Sequence, residues 1–194
     1  MIIPKKSKLV IKLGEIVSNY NSKNIEETLK NWLTDEGIFR IKHKGDKLSE
    51  RNQFVFDIDY PYNHPKPVKM QVFVPKGKDF VVILCSTKIS PIHIKALKSN
   101  VKNVQEFVES FVEKMYTMEI DYNLRRKKTH PDAWALSTRI FFDGLSKNEF
   151  YKAIRKVHNA HMYSNFILNK ICMSAKGADI KKMRDRSFDI PFYG

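Results

Sequence analysis

Positive charge is the chemistry that this sequence offers most clearly. Two clusters carry it: Arg125, Arg126, Lys127 and Lys128, and Lys181, Lys182, Arg184 and Arg186. Lysine and arginine neutralise phosphate groups without strict geometry, so both clusters are candidate contacts for nucleic acid or another acidic partner. A solvated hairpin tip and a solubilising tail also explain them. Strand alternation further divides the first cluster, because successive side chains point to opposite faces.

The whole chain is basic as well. Its 194 residues hold 35 lysines and arginines against 21 aspartates and glutamates, a formal net charge of +14. Such an excess favours association with polyanions: nucleic acid, acidic membrane surfaces or acidic proteins. The alternative is that the charge is spread evenly and serves solubility.

An aromatic loop is a second candidate contact surface. The string YPYNHP at residues 60–65 places Tyr60 and Tyr62 beside prolines that stiffen the backbone. Rigid aromatic side chains bind a protein partner or a stacked base at low entropic cost. In the alternative interpretation, the two tyrosines pack on their own domain.

Two further pairs have the residue types of catalytic or metal sites. Asp57 and Asp59 share one face of a predicted strand, and paired carboxylates can perform acid–base chemistry or bind a cation. The opposite face carries the apolar and aromatic side chains, so a solvated strand face explains the two aspartates completely. His158 and His161 lie one helical turn apart, but no acidic residue lies at a spacing that would complete a metal site on that helix. With no glycine-rich phosphate loop and no nucleophile motif, the sequence predicts no catalytic residue, metal or cofactor.

Cysteine usage and hydropathy indicate the cellular setting. Cys85 and Cys172 each fall within an apolar pattern, which predicts buried thiols and a reducing compartment. The amino terminus MIIPKKSKLVIKL lacks the long apolar core of a signal peptide, and no apolar run approaches the roughly 18 residues of a membrane span. We therefore expect a cytoplasmic protein.

Hydrophobic periodicity predicts an α+β fold. Helical stripes are predicted at residues 24–36, 103–118 and from Ser146 onwards, with a short helix at 90–97. The predicted strands are 38–42, 53–60, 68–74, 80–86, 119–127 and 133–142; polar turns are expected at 45–50 and at His130-Pro131-Asp132. Residues 7–20 fit either a helix or a strand.

This order, α-ββββ-α-ββ-α, predicts a curved antiparallel sheet of about six strands covered by helices. An extra amino-terminal element precedes it, and a basic and aromatic arm follows it. We expect a single α+β domain at residues 1–173 and the carboxyl-terminal arm at residues 174–194.

The element order resembles the YbjN and type III secretion chaperone-like fold, and is similar to uncharacterised archaeal proteins of that plan. The stretches that carry the resemblance are NIEETLKNWLTDEGIFRIKHKG, FVFDIDYP, VKMQVFVP, FVVILCS, NVQEFVESFVEKMY and the closing helix after GLSKNEF, together covering about residues 22–170. The resemblance implies homodimers or heterodimers and protein binding rather than catalysis. It supplies no functional residues.

Three functional hypotheses follow. The first is a non-enzymatic protein-binding or scaffold module of the chaperone-like type, forming a homodimer or binding a protein partner. The second is a nucleic-acid-binding protein that uses the basic clusters. The third is an unrecognised enzyme centred on Asp57 and Asp59.

Overall fold

The computed structural model describes residues 22–175 of the chain. The helices are α1 (Ser22–Asp35), α2 (Lys47–Arg51), α3 (Pro91–Lys98), α4 (Val101–Thr117) and α5 (Lys147–Ala175), with a 3-10 turn at Phe142–Gly144. The strands are β1 (Phe39–Lys42), β2 (Asn52–Tyr60), β3 (Val68–Pro75), β4 (Phe80–Lys88), β5 (Asp121–Lys127) and β6 (His130–Phe141). The alternative of helix or strand at residues 7–20, and most of the carboxyl-terminal arm, lie outside the described residues.

The six strands form one antiparallel sheet in the order β1-β2-β3-β4-β6-β5, with β1 and β5 at its edges. Helices cover this sheet, so the predicted α+β fold class is confirmed. By internal packing, the described residues form two compact units: 22–83 with 139–153, and 84–138 with 154–175. The single domain expected over residues 1–173 stays a prediction. Within residues 22–175, no helix is long and apolar enough to cross a bilayer.

The first unit buries the apolar faces of α1, β2 and β3. Its core side chains follow the helical and strand periods: Ile25, Leu29 and Leu33; Phe54, Phe56 and Ile58; Met70, Val72 and Val74. Gly37 ends α1 with a φ of +68°, and Ile38 N–H donates to the carbonyl of Leu33 over 3.0 Å, a Schellman arrangement. Tyr151 Oη fastens the start of α5 to this helix by donating a 2.6 Å hydrogen bond to the carbonyl of Trp32.

The second unit packs α4 against the β5–β6 hairpin. Phe107 and Phe111 lie with their ring centroids 6.0 and 5.9 Å from that of Trp134 on β6. Both cysteines are buried in this unit, as predicted. Burial raises the pKa of the Cys85 thiol to about 12 and that of Cys172 to about 11.

Two turn predictions were wrong. Residues 45–50 hold the helix α2, whose N-cap Asp46 forms a capping box with Ser49. His130-Pro131-Asp132 is not a turn, because β6 begins at His130. Pro131 is tolerated there because it lies at a register shift opposite the edge strand β5, where its missing N–H donor costs little.

Candidate nucleic-acid interface

The β5–β6 hairpin ends in a two-residue turn that carries a lysine. Lys127 pairs with His130, which leaves Lys128 and Thr129 as the loop. Lys128 has a φ of +60°. Tight hairpin turns require this left-handed conformation, which residues other than glycine rarely adopt. The turn thus holds a cation at the hairpin tip at a conformational cost.

A bulge in the same hairpin gives Arg125 a partner of its own. Arg125 pairs with Ala133 and Arg126 with Pro131, so Asp132 is the extra residue on β6. Arg125 Nε and Nη2 each donate a 2.9 Å hydrogen bond to the Asp132 carboxylate. This pairing raises the pKa of Arg125 and lowers the pKa of Asp132. Arg125 is therefore engaged within the hairpin.

The two lysines of the hairpin border a cleft of about 310 Å³, which we call the lysine cleft. Its lining comes from β4, α3 and the hairpin: Lys88, Ile94, Lys98, Lys127, Lys128, His130 and Asp132. All four lysines are exposed, and none has an ion-pair partner among residues 22–175. The acidic member of the lining is already held by Arg125. The cleft is therefore strongly positive.

A buried imidazole lines this cleft. His130 is only 5% exposed, and its Nδ1 has no hydrogen-bond partner within the described chain. Burial lowers the pKa of His130, and the positive charges of Lys98 and Lys127 lower it further, against a smaller opposing effect of Asp132. The ring is consequently neutral at pH 7. Buried polar atoms in native proteins seldom lack a partner, so this nitrogen marks a place for one.

The structure divides the predicted run of four cations. Lys127 and Lys128 share the lysine cleft, whereas Arg126 borders a neighbouring depression of about 420 Å³ beside α3 and α4, which has Lys98 and His130 in common with the cleft. Arg125 borders a third, of about 440 Å³, next to Trp134. Lys127 and Lys128 meet although simple alternation places them on opposite faces, because β5 ends at Lys127 and Lys128 lies in the turn with a φ of +60°. The second predicted cluster, Lys181, Lys182, Arg184 and Arg186, lies outside the described residues.

Sequence reasoning missed Lys88, Lys98 and His130. Lys88 ends an apolar strand and Lys98 ends a short helix, and no local pattern connects either residue with the hairpin. The sequence predicts a turn at His130-Pro131-Asp132, whereas His130 is the first residue of β6. The available signal was its position directly beside four cations and a possible hairpin turn.

The aromatic candidates belong to the first unit, whereas the lysine cleft belongs to the second. Tyr60 closes β2, where it pairs with Val68 and is half-buried. The Tyr62 ring lies against Gly37, so close that a β-carbon on that glycine would be 2.5 Å from Tyr62 Cε2. Its outer face remains open, since the residue is 58% exposed. Tyr62 thus packs on its own unit and keeps a surface for a partner.

The two aspartates of β2 have neighbouring cations or donors. Asp57 accepts a 3.1 Å hydrogen bond from Gln71 and lies 3.0 Å from Nε2 of His43. Asp59 forms an ion pair with Arg40 at 3.2 Å. His43 also bonds Asp46 through Nδ1, and these two hydrogen bonds raise its pKa. The arrangement is that of structural ion pairs on a strand surface.

The two histidines of α5 do not assemble a metal site. His161 Nδ1 lies 3.1 Å from Thr87 Oγ1 and 3.4 Å from Cys85 Sγ, and its Nε2 lies 2.9 Å from Asn165 Nδ2. Burial, aided by the charge of His158, lowers the pKa of His161 to about 4. Across residues 22–175, no three or more histidine, cysteine, aspartate or glutamate side chains are grouped to hold an ion. The Cys85 thiol beside His161 stays protonated, because burial raises its pKa. An activated cysteine is instead a thiolate.

The fold and the cleft together define an α+β protein that presents a lysine-lined depression beside an edge hairpin. Residues 25–168 match the model of the family described as "Uncharacterized conserved protein (DUF2299)", and the chain belongs to that family. The match includes every residue of the lysine cleft. No curated protein matches the chain.

Two solved structures are similar to this chain. A protein from Methanothermobacter thermautotrophicus, described as uncharacterized, aligns with a TM-score of 0.67 and 24% identity, over 75% of this chain and 96% of its own. YbjN from E. coli aligns with a TM-score of 0.39 and 10% identity, over 80% and 92% of the two chains. The predicted similarity to uncharacterised archaeal proteins of this plan is confirmed by the Methanothermobacter structure. The Methanothermobacter match supports the fold.

Proposed function

We propose that this protein is a binding module rather than an enzyme, and that it binds nucleic acid through the lysine cleft. The observation that carries the proposal is the convergence of Lys88, Lys98, Lys127 and Lys128 on one depression. They come from three separate elements, and none of them forms an ion pair with an acidic group of the described chain. A protein that keeps four like charges together loses stability through their repulsion unless a polyanion binds there.

The lining of the cleft favours contact with phosphates over contact with bases. Apart from the imidazole of His130, it holds no ring on which a base would stack. Contacts to phosphate fix a strand on a protein without reading its sequence. We therefore expect binding with little sequence preference. If all four lysines release counterions, the logarithm of the affinity should fall with the logarithm of salt concentration at a slope of about −3 to −4.

Fluorescence anisotropy of labelled 20-nucleotide single strands and duplexes, titrated with the full chain from 50 to 300 mM salt, tests the proposal. The cleft variant combines Lys88→Gln, Lys98→Gln, Lys127→Gln and Lys128→Gly. Glycine is chosen at residue 128 because it adopts a φ of +60° without strain, so the turn is preserved. The matched control, Lys44→Gln, Lys69→Gln, Lys76→Gln and Lys78→Gln, removes the same charge from exposed lysines of the first unit.

The cleft variant should lose at least about tenfold in affinity and most of its salt slope, while the control stays within about twofold of the wild type. An equal loss in both variants would mean that diffuse charge, not the cleft, attracts the strand. Absence of binding by the wild type at 50 mM salt would reject the proposal outright. Tighter binding to a poly-glutamate peptide than to either nucleic acid would replace it with an acidic protein partner.

A second candidate function, self-association, is favoured by a stripe on α5. Tyr163, Phe166 and Met173 lie within one helical face and are 38%, 44% and 38% exposed. The rings of Tyr163 and Phe166 lie 6.0 Å apart, so the stripe offers a ready aromatic surface. Two copies related by a two-fold axis across α5 would bury the same stripe on each other, which is the usual geometry of a homodimer.

Light scattering coupled to gel filtration at micromolar concentration tests this second candidate. A dimer is expected for the wild type and a monomer for Phe166→Glu, whereas Leu48→Glu changes an exposed apolar residue of the first unit and should leave the dimer intact. A monomeric wild type would exclude the stripe as a contact between copies. A dimer that survives Phe166→Glu would place the contact elsewhere.

A further inference from the structure

We propose that the lysine cleft is a pocket for a phosphomonoester, and that buried His130 and the surrounding lysines hold the terminal phosphate of a bound strand. This inference names the ligand class of the site used in the proposed function and in that sense rests on it. The phosphate then occupies a defined binding site and is not held by diffuse electrostatic attraction alone.

The first support is the unpartnered nitrogen of His130. The side chain is almost wholly buried, yet its Nδ1 has no hydrogen-bond partner within the described chain. The ring lines the cleft, so a group bound there lies beside it. A neutral imidazole protonated at Nδ1 donates one hydrogen bond, and a phosphate oxygen accepts it. A bound phosphate thus supplies the partner that the protein does not.

The second support is the match of charge. A phosphomonoester carries between −1.5 and −2 at pH 7 and presents three free oxygens. Lysines from β4, α3 and the hairpin line the cleft, so three different elements supply ammonium groups for the free oxygens of a phosphate. An internal phosphodiester carries a single negative charge and only two free oxygens. It also continues in both directions, which suits an open groove better than a pocket.

The third support is size and lining. The cleft volume of about 310 Å³ is at the lower end of the range of small-ligand pockets, which is ample for a phosphate and part of the group that it esterifies. Ile94 provides an apolar side chain on the lining, against which the carbon of the esterified group can pack. The carboxylate of Asp132 does not oppose the anion fully, because Arg125 neutralises it.

Binding of phosphate and protonation of His130 must be linked. The groups that act on the ring are Lys98 on α3, Lys127 on β5 and Asp132 on β6, and Lys88 on β4 and Lys128 in the turn line the same cleft. The lysine charges lower the pKa of His130, so an anion that screens them raises it. By reciprocity, affinity for phosphate should rise as the pH falls towards the pKa of the complex.

The test follows the imidazole of His130 by two-dimensional ¹H–¹⁵N NMR on the full chain. Methyl phosphate, dimethyl phosphate and sodium chloride are each titrated into the protein at the same ionic strength. Sodium sulfate is titrated as a second dianion. Methyl phosphate should saturate at millimolar concentration or below, shift the His130 ring resonances and raise its pKa. Dimethyl phosphate and chloride should bind at least tenfold more weakly. Lys98→Gln and Lys127→Gln should each lower the affinity for methyl phosphate severalfold, whereas Lys69→Gln should leave it unchanged.

His130→Asn and His130→Leu form the second arm, with thermal melts to establish that each folds. Asparagine retains a donor near the position of Nδ1 and should keep part of the affinity, while leucine should lose it. Equal shifts with methyl and dimethyl phosphate would assign the cleft to internal phosphodiesters and overturn the monoester inference. Equal shifts with sulfate would reduce it to an adventitious ion only.

Oligonucleotides with and without a 5′-phosphate separate the inference from the proposed function. A preference of at least about fivefold for the phosphorylated strand is expected, and it should disappear in His130→Leu. Binding of both strands without a His130 shift would sink the inference and leave the proposed function standing. Binding of methyl phosphate without binding of any oligonucleotide would reject the proposed function and leave the phosphomonoester pocket standing.

Discussion

Arg125 and Asp132 form a two-bond ion pair across the bulge of the β5–β6 hairpin, with Nε–Oδ1 and Nη2–Oδ2 both 2.9 Å long. The Arg125 side chain is 61% exposed, so solvent screens the pair and it contributes little to stability. Its greater effect is electrostatic. It neutralises the charge of one exposed arginine and places one carboxylate on the lining of a cleft whose other charged residues are lysines.

The first prediction follows from this pair. Asp132→Asn should raise nucleic-acid affinity by about three- to tenfold at 100 mM salt and steepen the salt slope by about one unit, because Arg125 becomes available to phosphate. Anisotropy titrations at several salt concentrations measure both quantities. Asp143→Asn removes an exposed carboxylate from the first unit and is the control. Equal affinities of the two variants would show that the ion pair does not restrain binding.

The second prediction concerns two glycines that share a backbone conformation but not an environment. Gly37 and Gly45 have φ values of +68° and +69°, and a β-carbon at Gly45 would meet nothing within 4 Å. Gly45→Ala therefore carries only the backbone cost, about 1 kcal/mol. Gly37→Ala carries the same cost and must also displace the ring of Tyr62, so we expect it to lower the free energy of unfolding by roughly a further 1–2 kcal/mol.

Urea unfolding of the single variants and of Gly37→Ala combined with Tyr62→Ala completes a double-mutant cycle. The coupling free energy should equal most of the difference in unfolding free energy between Gly37→Ala and Gly45→Ala, because Tyr62→Ala removes the ring that Gly37→Ala displaces. Equal destabilisation by Gly37→Ala and Gly45→Ala would contradict the contact.

Much of the fold was predictable because it depends on local pattern. The helix predicted at residues 24–36 is Ser22–Asp35, and the helix predicted from Ser146 is Lys147–Ala175, with Ser146 Oγ accepting from Glu149 N over 3.2 Å. α2 was missed because its five residues bury nothing and show no apolar stripe; its signal was the Asp46–Ser49 capping box.

The candidate site was predictable only in part because it depends on tertiary packing. Lys127 and Lys128 were identified from their own run, but their partners Lys88 and Lys98 are tens of residues away in sequence. The bulge at Asp132 changes which side chains share a face, and nothing in the alternation of β5 reveals it. Buried His130 was hidden by Pro131, whose presence favoured a turn. Such relationships follow from register, which the sequence of one strand does not determine.

The third prediction concerns His43, which binds Asp46 and Asp57. Hydrogen bonds to Asp46 and then to Asp57 raise its pKa above 6.5, so the folded state favours the protonated ring. The resulting stability is fully present below pH 6.5 and is lost as the pH rises through the raised pKa. His43→Gln should consequently cost more free energy of unfolding at pH 6 than at pH 9. Chemical denaturation at the two pH values measures this, and an equal cost at both would contradict the assignment.

The fourth prediction has the opposite sign and concerns His161. Burial, with the nearby charge of His158, lowers its pKa to about 4, so the folded state favours the neutral ring. The unfolded chain takes up the proton near pH 6.5, and the stability that His161 contributes is complete above that value and falls as the pH drops towards 4. The full loss is up to roughly 3 kcal/mol for a shift of this size.

The wild type should therefore lose more stability between pH 7 and pH 4.5 than His161→Gln, because glutamine does not take up a proton in this range. The control is His64→Gln, which changes a half-buried histidine of the first unit that accepts a 3.1 Å hydrogen bond from Lys66 N. Parallel pH profiles for the wild type and His161→Gln would mean that the ring protonates without cost in the folded protein, and hence that water reaches it beside Thr87 and Cys85.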